Sequence, residues 1–484
     1  MEAGQLNATA LETTAPTNRL SACKVLLQGA VLGAIAFLIF VLAVGTVSFY
    51  SDRSLIDQKI RSAIQDETIQ IPGSWDITDP RGMDTFTDCL VLQSLKLSPD
   101  RFLPNLFDTY VYTALYNAGK VHPCNSLSRS YENDGATELA VTSYSRYWWG
   151  SASLAKIALG QTGLSLAQYR DVVFFSLILS LGFFTLTFYQ SFRPASLFLT
   201  PYLISVCFGF SLLSLGQSIS QTPEEIIALL ILSIYNLTHI ENRSLYVRAA
   251  CYSLLGAICV YLDLLNAVVM LVPTIMCCQW IASTLSKHPF SSSSGNRRIL
   301  SLLINLGLVV TGACFAIFIR LVGYFYVSGK SFFDVLLQWK NDLTSWFAGN
   351  AHVVSGQPPG TITDVARALW HRRADPFYGV LTNHGADVFY ALGFLGWVLL
   401  VPLCWGLAKK QKLPLDVVLG FLLGGIMIPG WFFIFKQHTI IHAWMTGRLL
   451  SLFAGVGMSA AITMFAILIT RRSVEEPPDL AQRR

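Results

Sequence analysis

Four short stretches of this chain carry residue types that can do chemistry. The segment GMDTFTDC places Asp84 and Asp88 four residues apart, so that on a helix they share a face. Two neighbouring carboxylates can hold a divalent cation, or keep one member as a base. The same pattern also fits an ordinary N-cap at Asp84. The segment YSRYWWG sets Arg146 among Tyr144, Tyr147, Trp148 and Trp149. An arginine among aromatics can hold a phosphate or stack on a sugar-binding ring, while Trp and Tyr also gather at membrane interfaces whatever the function. In YLDLLN, Asp263 sits inside an apolar run, where a carboxylate marks a functional site or caps a helix. The segment KQHTIIHAWMTGR carries His438, His442 and Arg448. Its two imidazoles share a helical face, which suits a metal, but no HExxH motif accompanies them and they read better as polar site-lining residues. Arg448 and Arg320 each stand near the end of an apolar run, placed to bind a lipid phosphate or to snorkel to headgroups. Glu224 and Glu225 follow Thr222-Pro223 and read as structural, first-turn acids that offset a helix dipole.

The elements that must position these residues belong to a membrane protein. Of 484 residues, 53% are hydrophobic and only 13% are charged, against about 25% charged in soluble domains. That excludes a soluble enzyme, a disordered scaffold and a secreted disulfide framework. The net charge of +5 is modest and does not point to nucleic acid. Eight of the ten cysteines lie in or beside apolar runs, where they act as small apolar residues. Only Cys89 and Cys124 sit in polar sequence. There is no CxxC pair, Walker A loop, Rossmann glycine pattern or GxSxG elbow, so a zinc site of that kind and a soluble nucleotide substrate are not expected.

Apolar runs cover roughly 24–49, 171–189, 196–215, 225–240, 251–283, 300–322, 387–407, 415–435 and 448–470, and a spanning helix needs about 20 such residues. The 251–283 run is too long for one untilted span. Two short helices turning near Asp263 would bring Arg193, Arg243, Arg248, Lys287, Lys409–Lys412 and Arg471–Arg472 to one side, as the positive-inside rule prefers. The expectation is therefore an all-α polytopic membrane protein with about ten spans and both termini cytosolic. It has a cytosolic segment 1–23, a membrane domain 24–470 and a cytosolic tail 471–484. Two long loops, 50–170 and 323–386, face outward, with shorter outer loops near 216–224 and 436–447. Cys89 and Cys124 share the first loop, in a compartment that permits oxidation, and are a candidate disulfide closing about 35 residues. The sequons at Asn7, Asn236 and Asn242 all fall in cytosolic or spanning positions, which favours a bacterial inner membrane over an endoplasmic reticulum.

A long acidic loop after the first span, followed by a multi-span bundle with a second outer loop, resembles the GT-C superfamily of membrane glycosyltransferases, which use polyprenyl-phosphate sugars. The resemblance covers about 24–470 and includes Asp84 and Asp88. In that family the acids often lie nearer the first span, where this chain has Asp52. GMDTFTDC, YSRYWWG, YLDLLN and HTIIHAWMTGR also resemble segments of an uncharacterised group of bacterial envelope proteins. The family resemblance implies an inverting transfer from a polyprenyl-phosphate-linked sugar to a glycan or lipid acceptor. Asp84 would be the base, and Asp88 its partner or a cation ligand. Arg320 or Arg448 would touch phosphate, and a divalent cation would be an optional aid. Two other classes compete: a transporter or flippase for lipid-linked saccharide, and a non-catalytic partner of a polysaccharide assembly complex. A transporter calls for polar residues deep in several spans, whereas here polarity gathers in the outer loops.

Overall fold

A computed structural model describes residues 19–69, 78–79, 83–112, 122–132, 139–144, 150–209, 212, 216–262, 268–287, 295–348, 361–377, 380–409, 413–441, 443 and 447–475. Helix α1 (Arg19–Phe49) leads into an extramembrane unit. This unit holds α2 (Arg53–Gln65), β1 (Thr78–Asp79), β2 (Met83–Asp84), α3 (Thr85–Lys96), α4 (Phe102–Phe107), β3 (Tyr110–Tyr112), α5 (Pro123–Glu132), β4 (Val141–Ser143) and α6 (Gly150–Lys156). The strands form two small antiparallel pairs, with Thr78 opposite Asp84 and Tyr110 opposite Ser143. Segment 50–170 thus folds around its own apolar core. Ile56 and Ile60 of α2, Val91 and Leu92 of α3, Leu127 of α5 and Leu159 pack with Leu166, Tyr169 and Val173 at the start of the next helix. Cys89 and Cys124 are joined in a disulfide that ties α3 to α5.

The bundle continues with α7 (Leu166–Ser191), started by a Ser165/Gln168 capping box. Then come α8 (Thr200–Gly209), α9 (Thr222–Thr238), α10 (Leu245–Leu262), α11 (Val268–Lys287), α12 (Gly295–Ser328), α13 (Phe332–Ala348), α14 (Ile362–His371), α15 (Asn383–Lys409), α16 (Leu415–Ile434), α17 (Lys436–Ile441) and α18 (Leu449–Glu475). The 251–283 run is two helices, since α10 stops at Leu262 and α11 begins at Val268.

Among the described residues seven helices, α1, α7, α10, α12, α15, α16 and α18, are long and apolar enough to cross a bilayer, fewer than the ten expected. The other three apolar runs form α8, α9 and α11, with only 10 residues in α8 and 17 in α9. Among the described residues α11 exposes no large apolar side chain, whereas α8 and α9 are covered on one side only and leave Ile204, Ile234 and Leu237 exposed. Leu229 and Leu232 of α9 and Leu271, Ile275, Cys277, Cys278 and Ile281 of α11 all show 0% exposure. Composition marks such a run as apolar but does not say which surface covers it.

Small residues let the long helices approach closely, as in other membrane bundles. A methyl group at Gly312 of α12 would fall on the Ser253 carbonyl of α10, and one at Gly396 of α15 on the Gly457 carbonyl of α18.

Candidate functional site

The extramembrane unit reaches the bundle through polar side-chain contacts from α3. Asp84 is the N-cap of α3, its Oδ1 accepting the Thr87 N–H at 3.0 Å. The capping role expected of it is therefore real, but it uses one oxygen only. Oδ2 accepts from Gln221 Nε2 at 2.6 Å, across 137 residues of sequence. One turn further along α3, Asp88 Oδ1 accepts from the Ser218 hydroxyl (2.9 Å), the Ser220 N–H (3.1 Å) and the Ser220 hydroxyl (2.9 Å). Its other oxygen lies 3.6 Å from an Arg170 guanidinium nitrogen at the start of α7. Both carboxylates are fully buried.

Burial pushes the Asp84 carboxyl up to about 7, and the Asp88 charge adds to the shift; the bonds from Thr87 and Gln221 oppose it. Burial also raises Asp88, against Arg170 and the two serines. Asp88 has a cation and three donors, whereas Asp84 has two neutral donors. Asp84 is therefore the member that takes the proton.

Gln221 carries the network onward. Arg448, just before α18, donates to Gln221 Oε1 at 3.4 Å and to Glu225 Oε1 at 2.7 Å. Arg448 and Glu225 both show 0% exposure, so this ion pair is sealed from solvent. The chain Asp84–Gln221–Arg448–Glu225 joins α3, the entry to α9 and the entry to α18. Glu224 and Glu225 are first-turn acids of α9, as their position after Thr222-Pro223 leads one to expect. Both are buried, and Glu225 neutralises an arginine. Arg448 does not snorkel, because its partner lies inside the protein.

The remaining sequence candidates lie elsewhere. Arg320 of α12 is 6% exposed and belongs to a second cluster. It sits beside the Tyr324 ring, 5.8 Å from its centroid, and within reach of the Asp108 charge. The Ser143 hydroxyl bridges that cluster, donating to Asp108 and lying 3.1 Å from the Tyr324 hydroxyl. Asp52 caps α2 at the surface, accepting from Ser54 N–H, Leu55 N–H and the Ser54 hydroxyl. The Ser54 hydroxyl, the largest cause, and these N–H donors hold its carboxyl below the usual range, which makes it a poor proton acceptor. Arg146, Tyr147, Trp148, Asp263 and His442 fall outside the described residues, and His438 is described through the backbone of α17 only.

Sequence reasoning passed over Gln221, Ser218 and Ser220. Their signal is the polar run QSISQTPEE, residues 217–225, wedged between two apolar runs with serines on alternate positions.

The acid pair does not fit a divalent cation as it stands. Three of its four oxygens accept from N–H or O–H groups and the fourth faces Arg170, so a cation would meet donors rather than lone pairs. Among the described residues, no group of three or more His, Cys, Asp or Glu side chains is placed to hold a metal. No protein family, curated protein or solved structure matches this chain.

Proposed function

We propose that this chain is an integral membrane glycosyltransferase. It moves a sugar from a polyprenyl-phosphate donor to a glycan or lipid acceptor at the face of the membrane that carries the extramembrane unit. The observation that carries this reading is Asp84, a buried carboxyl raised to about 7 beside a second acid that faces Arg170. A base is most effective when its pKa lies near the working pH. Asp84 Oδ2 takes the proton of the acceptor hydroxyl. The acceptor oxygen bonds to the anomeric carbon, and the bond from that carbon to the phosphate oxygen breaks, its electron pair leaving with the phosphate. The sugar is inverted. Gln221 holds the carboxyl in place, and Arg448 in turn holds Gln221.

Two further observations favour this assignment. The Cys89–Cys124 disulfide fits an oxidising compartment, as the outer side of a bacterial inner membrane is. The buried charges Arg170, Glu224, Glu225 and Arg448 stand at helix ends rather than mid-span, which suits a surface enzyme better than a transporter.

The test uses purified protein in liposomes supplied with synthetic undecaprenyl-phosphate hexoses and an envelope glycolipid extract, and measures release of undecaprenyl phosphate. Asp84→Asn should lower release about 10²–10⁴-fold, and Asp52→Asn should leave it unchanged. Loss of transfer in Asp52→Asn with full activity in Asp84→Asn would move the base to the nearer position. No release from any hexose by the wild-type protein would overturn the reading.

A further inference from the structure

A second polar site lies at the far ends of the helices that frame the acid network. Gln221 precedes the first residue of α9, and Asn236 lies in its last turn. At 1.5 Å per residue the two are about 20–25 Å apart along the axis. Around Asn236 the ends of α7, α9, α10 and α11 leave a cavity of about 160 Å³. A single water needs only about 10–15 Å³ of such space, so the cavity has room for a small ring-sized molecule.

Its lining selects a chemistry by elimination. The acid in the wall, Glu241, is already matched. Arg248 lies 3.7 Å away, the Asn305 amide donates at 3.1 and 2.9 Å, and the Tyr252 hydroxyl donates as well. The cavity therefore offers no unmatched negative charge to a cation, and the wall carboxylate disfavours an anion. His239 stands exposed at the rim.

What remains is neutral and directional. Gln279 Nε2 donates to Asn236 Oδ1 at 2.7 Å, and Asn236 Nδ2 to Thr187 at 3.3 Å, which fixes the two amides and leaves Gln279 Oε1 as an acceptor. The Ser286 hydroxyl is buried and has no hydrogen-bond partner among the described residues, and Ser283 adds a second hydroxyl to the lining. A buried hydroxyl left without a partner is costly, and a ligand hydroxyl would repair it. Phe192, Tyr235 and Tyr252 supply aromatic walls, with the two tyrosine hydroxyls already engaged by the Cys251 carbonyl and by Glu241.

We propose that this cavity binds a neutral, hydroxylated ring the size of one sugar residue, on the face opposite the disulfide-bearing unit. Gln279 and Ser286 read the hydroxyls, and the aromatic walls cover the carbon skeleton. The ring comes either from a free sugar in the adjoining aqueous phase or from the headgroup of a glycolipid in the adjoining leaflet.

The experiment uses the full chain in nanodiscs and follows amide hydrogen exchange over residues 236–242 and 283–286. In one arm, glucose and N-acetylglucosamine are titrated as free probes. In the other, the phosphatidylcholine nanodisc contains monoglucosyl diacylglycerol. Saturable protection in the first arm identifies a free sugar, and protection only in the second a glycolipid headgroup. Gln279→Leu and the gentler Ser286→Ala should each weaken binding about five- to tenfold. Asp84→Asn should leave binding unchanged, so this site stands or falls separately from sugar transfer. Absence of saturable protection in both arms means that solvent alone fills the cavity and overturns the proposal. So does a Ser286→Ala protein that melts normally and binds as tightly as wild type.

Discussion

Replacing Asp84 by Asn should change stability in opposite directions at high and low pH. The carboxyl rises from 3.8 to about 7 on folding. Between those values the folded chain holds a proton that the unfolded chain has released. Stability therefore falls as pH rises through this window and is level above it. A shift of roughly three units at about 1.4 kcal/mol each is worth about 4 kcal/mol, an upper figure for one buried group. The amide removes this penalty but has a single oxygen, and so cannot accept from both Thr87 and Gln221. One lost hydrogen bond costs about 1 kcal/mol.

The variant should therefore be more stable than wild type by about 3 kcal/mol near pH 8, close to neutral near pH 5, and less stable by about 1 kcal/mol below the unfolded value. Thermal unfolding followed by tryptophan fluorescence in detergent, for both proteins across this range, measures the difference directly. The same variant should lose transfer activity, so that stability and activity move oppositely at neutral pH. Equal destabilisation at every pH would mean that Asp84 is an ionised, fully paired carboxylate. The base assignment would then fail with it.

Arg448→Leu should cost about 3–5 kcal/mol, because it strands Glu225 in a sealed interior; the double change Arg448→Leu with Glu225→Leu should recover much of that, as read from the two melting curves. Cys89→Ser should lower stability by about 3–4 kcal/mol through loss of a 35-residue closure, and thiol counting on the denatured wild-type chain should rise by two on reduction. With α11 crossing beneath the cover of its neighbours, single cysteines placed near residue 335 in α13 should react with an impermeant thiol reagent in intact cells, and ones beside Lys409 should not; the reverse labelling would mean that α11 does not cross.

The membrane class, the division of 251–283 into two helices and the pairing of Cys89 with Cys124 were all legible from the order of residues. Each depends on local composition, or on two cysteines sharing one loop. The i,i+4 spacing of Asp84 and Asp88 likewise sufficed to put them on one face of α3. Three things were decided only by the tertiary structure. The first is which apolar runs face lipid, since an apolar run has the same composition whether lipid or neighbouring helices cover it, and α11 is covered by its neighbours. The second is the identity of the acids' partners. Ser218 and Ser220 lie 130 and 132 residues from Asp88, and Arg448 lies 223 residues from Glu225. No periodicity links positions so far apart; the fold brings the start of α7, the entry to α9 and the entry to α18 to one polar network. The third is the protonation of Asp84. An exposed cap such as Asp52 is held below the usual carboxylate range, while Asp84, also a cap, is raised to about 7. Both caps look alike in sequence, and they differ because folding takes water away from only one of them.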